Sequence, residues 1–125
     1  MDADQTTLTV LRPTPRKPNQ TAPAPVAYTG VVADVQPTTD PPLDVQSMPG
    51  VLDPSKYVWY HIFVTLDDNP QFTKLPDIRN SDQLQDLNET DFITNTPALY
   101  HIKRAAPWWG DHIEIYAQRL ASTPA

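Results

Sequence analysis

The sequence predicts an all-β protein, a small antiparallel β-barrel or sandwich with long proline-rich loops and an extended N-terminal arm. Three observations predict it. First, stretches that alternate apolar and polar residues with period two recur along the chain, as half-buried strands require. Second, proline supplies 15 of the 125 residues, and ten of these fall in the first 54, against a usual share of about 5 %. Proline fixes φ and removes a backbone donor, so the first half has no room for long helices. Third, "ALYHIKRAA" and "DHIEIYAQRL" flank "PWWG" near the end of the chain, a strand–turn–strand pattern.

Each element can be justified in order. Residues 6–11, "TTLTVL", form a short strand with Leu8 and Val10 on one side. "RPTPRKPNQTAPAPVAY" then carries five prolines between positions 13 and 25, an extended and exposed composition. Residues 26–36, "VAYTGVVADVQ", form a second strand. Tyr28, Val31, Val32 and Val35 slip out of alternation around Gly30, which predicts a bulge or bend there. Residues 37–56 hold five prolines and a glycine and are predicted as loop, long enough to suggest a functional or disordered segment.

Residues 57–66, "YVWYHIFVTL", are the strongest strand. Val58, Tyr60, Ile62 and Val64 share one face, while Tyr57, Trp59, His61, Phe63 and Thr65 share the other. Two largely apolar faces predict a strand that is central or covered on both sides. Residues 67–80 return to loop. Residues 81–93 admit two readings. One is a short helix capped by Ser81 with Leu84 and Leu87 spaced by three; the other, favoured here, is two short strands with a turn at Asn88–Glu89. In the final hairpin, a turn centred between Trp108 and Trp109 sets Lys103 against Glu114, Ile102 against Ile115 and Arg104 against Ile113. Such cross-strand pairs favour a sheet. The count is five or six strands in a single domain spanning 1–125, with proline-rich excursions at about 12–25 and 37–56.

Bulk composition narrows the function. The formal net charge is −6 and the pI about 4.7, which argues against a general nucleic-acid binder, since phosphate affinity comes from clustered Lys and Arg. Arg12, Arg16 and Lys17 form one weak basic cluster. Cysteine is absent, so no disulfide, thiolate nucleophile or Cys-ligated zinc is expected. No apolar run approaches the roughly 20 residues that span a bilayer. The opening "MDADQTTLTV" lacks a secretory pattern, so synthesis in the cytosol is expected.

No nucleophile elbow, phosphate loop, H-E-x-x-H or dinucleotide fingerprint is present. His61, His101 and His112 each fall in a strand without a neighbour at ligand spacing. The acidic loop "LDDNP" lacks the spaced oxygens of a calcium loop and reads as a solvated turn. No enzyme, cofactor or metal is expected. The tryptophan turn is the exception to this plainness. Trp108 and Trp109 either seal one end of the core or stand out as interface anchors, a role for which Trp is enriched. Proline-rich arms favour the interface, because they lose little entropy on ordering against a neighbour. The interface candidates are Trp108 and Trp109, the arm around Arg12, Arg16 and Lys17, and the sparse apolar residues Leu43, Val45, Met48 and Val51.

The order of a "TTLTVLR" strand, a proline-rich stretch, a "YTGVVADVQP" strand, a long loop, "YVWYHIFVTL", "SDQLQDLNETDF" and the hairpin "YHIKRAAPWWGDHIEIYAQRL" resembles the head-closure (head–tail joining or stopper) proteins of tailed bacteriophages. In that family a polar D-x-L/I segment leads to a Y-x-I/V strand and a last strand ending near x-R-L. The matching stretches are Asp82 to Leu84, Tyr100 to Ile102, and Ile113 to Leu120. The proline content and the lack of a Gly- and Arg-rich 37–56 loop depart from the pattern. The resemblance implies a non-enzymatic barrel subunit of the virion neck, made in the host cytoplasm. It implies a homo-oligomeric ring between the portal or adaptor and the tail proteins, which closes the head after packaging and docks the tail. DNA would pass through without specific binding, and no membrane is involved. The alternatives are a related adaptor or tail-terminator protein, or a monomeric oligonucleotide-binding-like barrel whose exposed aromatics stack on a ligand.

Overall fold

A computed structural model describes residues 5–13, 25–48, 51–52, 56–91, 95–108 and 111–121, with the backbone alone at Trp108. Six strands form: β1 (Gln5–Leu11), β2 (Val26–Pro37), β3 (Tyr57–Thr65), β4 (Gln83–Asp91), β5 (Thr96–Trp108) and β6 (His112–Leu120). They close on themselves in the order β1-β2-β3-β6-β5-β4, every pairing antiparallel. The all-β expectation holds. Closure makes β3 central, paired along both edges with β2 and β6. Its inward face carries the buried Ile62 and Val64, whereas Trp59, His61 and Phe63 on the outer face are only half-buried.

Alternation places the core. Leu8 and Val10 of β1, Ile62 and Val64 of β3, Leu84 of β4, Ile102 of β5 and Ile113 and Ile115 of β6 all point inward and are buried. Each such aliphatic side chain stabilises the fold by about 1.5–3 kcal/mol relative to exposure. On β2 the inward set is Val31, Ala33 and the half-buried Tyr28 and Val35. The three-residue step from Tyr28 to Val31 comes from a bulge: Leu8 faces Val31 but Val10 faces Tyr28, so β2 carries an extra residue. Gly30 takes a φ of 68° there, a left-handed conformation that costs a residue with a Cβ. The slip in the sequence pattern had this cause.

Three expectations need correction. Residues 37–56 are not all loop, since Leu43–Gln46 forms a short helix, α1. Of the two readings of 81–93, of which 92 and 93 lie outside the described residues, the strand reading holds over the helix, but without its turn. Residues 83–91 are one strand, and an irregularity between Asp86 and Thr90 stands where a turn was expected. The exposed Leu87–Glu89 stretch bulges out, and β4 resumes pairing with β5 at Thr90.

The third correction is the register of the β5–β6 hairpin. Trp108 pairs with His112, Ala106 with Glu114, Ala105 with Ile115 and Ile102 with Ala117. The connection is longer than the tight turn assumed, which moves the pairing by three residues and dissolves the Lys103–Glu114 pair. A register shift between Ile102 and Arg104 resets the phase. Ile102 and Ala105 therefore both reach the core despite their odd spacing. Core burial outweighs the few tenths of a kcal/mol in one surface charge pair.

Candidate functional site

The two mouths of the ring are built differently. The first gathers the end of β1, the start of β2 and the β5–β6 hairpin. The connection from β3 to β4, residues 66–82, folds across it. Ile78 is buried there, with Phe72 and Leu75 packed on the same core. Phe72 meets Tyr28 edge-on at 6.0 Å, and the Tyr28 hydroxyl accepts from the Asp77 N–H at 3.0 Å.

Asn69 anchors this plug. It is 0 % exposed. The β2–β3 ladder stops at Asp34–Phe63, and extending its register would set Thr65 against Val32. The Asn69 carboxamide stands in for the ladder at this point. Its Oδ1 accepts from Val32 N–H at 2.7 Å, and its Nδ2 donates to the carbonyls of Val32 at 2.9 Å and Thr65 at 2.7 Å. The expected solvated turn at 66–70 is thus half wrong: Asp67 and Asp68 are exposed, but Asn69 is structural.

Arg12 also serves the plug. Its guanidinium donates to both Asp82 oxygens, at 3.2 and 3.0 Å, and to the Asp77 carbonyl. The hydrogen bonds to Asp82 hold its pKa above the usual arginine value. Arg16 and Lys17 lie outside the described residues, as does Trp109. Trp108 ends β5 at this mouth. Among the described residues the seal is made by Phe72, Leu75 and Ile78.

The loop candidates lie elsewhere, along the outer flank of β5 and β6. Val45 is fully buried, Met48 and Val51 are half-buried, and Leu43 is 81 % exposed. Arg104 of β5 holds Asp44 of α1 at 2.7 Å. Gln118 of β6 donates to the Leu52 carbonyl at 3.1 Å and accepts from its N–H at 2.7 Å. Next to this flank, His61 stacks on Tyr116 at 4.4 Å and meets Glu114 at 2.8 Å. Burial, with Lys103 nearby, lowers the pKa of His101. Among the described residues no group of three His, Cys, Asp or Glu could hold a metal ion.

The second mouth opens into a cavity of about 450 Å³. β1 contributes Gln5 and Thr6, β2 Val35, and β3 Tyr60. The β4 bulge contributes Asp86, Asn88 and Glu89, while β5 and β6 supply Tyr100 and Arg119. Arg119 sits on the inward phase of β6, behind Ile113, Ile115 and Ala117, and is only 5 % exposed. Its Nε donates to Asp91 at 3.1 Å, and its Nη1 to Glu89 at 2.5 Å and to the Tyr100 hydroxyl at 3.1 Å. Burial works against the charge, but these hydrogen bonds outweigh it and raise the pKa above the usual arginine value. The guanidinium also lies 5.4 Å from the Tyr100 ring centre, within cation–π range. Tyr60 meets Tyr100 edge-on at 5.1 Å. Burial pushes the Tyr100 hydroxyl up to about 12, with Arg119 pulling the other way. Asp86 is 2 % exposed. It accepts from the Thr6 hydroxyl at 3.0 Å and from the Asn88 N–H at 2.9 Å.

None of these cavity residues was among the sequence candidates. One signal could have found them. Arg119 and Asp86 fall on the inward phase of their strands, where a charge is out of place unless it is paired or lines a site. No protein-family model, curated protein or solved structure matches the chain.

Proposed function

We propose that this protein is a structural subunit of a tailed-phage neck, one copy in a ring between portal and tail that closes the head and docks the tail. The carrying observation is how the closed sheet is dressed. A ring of strands has no free edge to pair with another chain, so association must use outer faces and loops. The described residues of the 38–48 and 51–52 stretches are tied to the β5–β6 flank by the Arg104–Asp44 pair and by Gln118, and Val45 is buried. Leu43 is nevertheless left bare. An apolar side chain fixed on an anchored projection suits protein–protein contact. The net charge of −6 suits a channel wall that lets DNA pass without gripping it.

Mass spectrometry of purified tailed particles from the source strain tests the reading. The chain should be present at several copies per particle. Leu43→Ser should lower its incorporation while leaving the urea midpoint of the free chain unchanged. A chain absent from particles and monomeric at every concentration overturns the proposal.

A further inference from the structure

We infer that the open mouth is a binding site for an ammonium or guanidinium group, received between Asp86 and Glu89 beside Tyr60. Asp86 and Glu89 line the cavity and Asp91 pairs with Arg119, the one cation among the described lining residues, so three negative charges and one positive leave a formal −2. Arg119 is committed to Asp91 and Glu89 on one side. Asp86 is bonded to neutral donors, the Thr6 hydroxyl and the Asn88 N–H, and forms no ion pair among the described residues. Buried carboxylates are held by countercharge or by full hydrogen bonding. Among the described residues Asp86 accepts one bond on each oxygen, which leaves acceptor capacity to spare.

The wall chemistry agrees. An anion meets a net negative field, despite the presence of Arg119. Metal chelation needs at least three converging ligands, and among the described residues Asp86, Glu89 and Asp91 do not converge in that way. A cationic nitrogen meets charged acceptors on β4 and an aromatic surface at Tyr60, the combination that recognises protonated amines. The volume of about 450 Å³ fits an alkylammonium chain or an arginine side chain. The inference is independent of the neck reading. Amine binding and particle incorporation are separate measurements, and either can fail without the other.

The test is an NMR titration of the full chain with 1,4-diaminobutane. The backbone amides of Asn88 and Glu89 and the Arg119 side chain should shift. 1,4-Butanediol, the neutral analogue, and inorganic phosphate should leave them in place. Asp86→Asn should weaken the diamine about tenfold or more, the order expected for losing one close charge partner. Should that variant fail to fold, Glu89→Gln, at a position whose side chain is 54 % exposed, provides the same comparison. Nα-acetyl-lysine methylamide separates the two sources of such a group. Shifts as large as those of the diamine assign the site to a partner protein's side chain, and shifts from the diamine alone assign it to a free amine. Equal binding of diol and diamine, binding of phosphate, or a diamine affinity unchanged in the variants overturns the inference.

Discussion

The two ends of this strand ring use the same six strands for opposite purposes. At one end, apolar side chains from the 66–82 connection complete the core, and a single buried carboxamide ties that connection down. At the other, the inward positions turn polar. Thr6, Asp86 and Arg119 occupy places that Leu8, Leu84 and Ala117 hold one step deeper. The contrast teaches where a small barrel keeps its charges. A sealed end excludes water, so any polar group there must be fully bonded, as Asn69 is. An open end keeps water at hand, so an ion network can line a cavity there at lower cost.

The comparison can be broken most severely at Arg119. Arg119→Ala leaves Asp91 buried without its cation, and should cost about 3–5 kcal/mol in urea unfolding. The double change Arg119→Met with Asp91→Leu should recover most of that loss, because an apolar pair needs no countercharge. If Arg119→Ala alone proves neutral, the open mouth is far wetter than its burial indicates.

Asn69→Ala attacks the sealed mouth. It strips partners from the Val32 N–H and from two carbonyls, and should cost about 2–4 kcal/mol. Hydrogen exchange at the Val32 amide should rise in step.

An alkaline limb sharpens the contrast from the other side. The folded Tyr100 pKa of about 12 lies above its unfolded value of 10.0. The neutral phenol is therefore favoured by folding. Its contribution is complete below pH 10 and is lost as pH rises through 12, at about 1.4 kcal/mol per unit between the two. Wild type should lose about that much more stability than Tyr100→Phe between pH 9 and pH 11, read from paired urea midpoints. Equal losses would place the hydroxyl in water.

The smallest effect belongs to Ile78→Val in the plug. Removing one methylene from a packed apolar contact should cost about 1 kcal/mol and leave the alkaline limb of Tyr100 unchanged. Movement of that limb would mean the two ends are coupled through the core.

Much of the architecture was legible because it is local. The alternation of Leu8 with Val10 and of Ile62 with Val64 reports the pleat directly. The broken phase around Gly30 reported a real bulge. The polar cavity was not legible in this way. Arg119 acquires its meaning from Glu89 and Asp91, about thirty residues earlier on another strand, and nothing in "YAQRL" indicates those partners. The hairpin register failed for a related reason. Two facing charges looked decisive in isolation, whereas the bulge at Lys103 and the burial of Ala105 outweighed them. Among the candidate contact residues, exposure separated Leu43 from its neighbour Val45, two positions that read alike as sparse apolar anchors.

By itself, the order of residues determined that this protein is built of strands, where proline forbids helix, and where glycine lets a strand bend. Those properties follow from φ preferences and a two-residue period, which act between neighbours. Tertiary structure alone decided that the sheet closes, which mouth is plugged, and that Arg119, Asp86 and Tyr100 share one cavity. Those outcomes depend on long-range pairing, in which burying the whole core outweighs the preferences of any single turn.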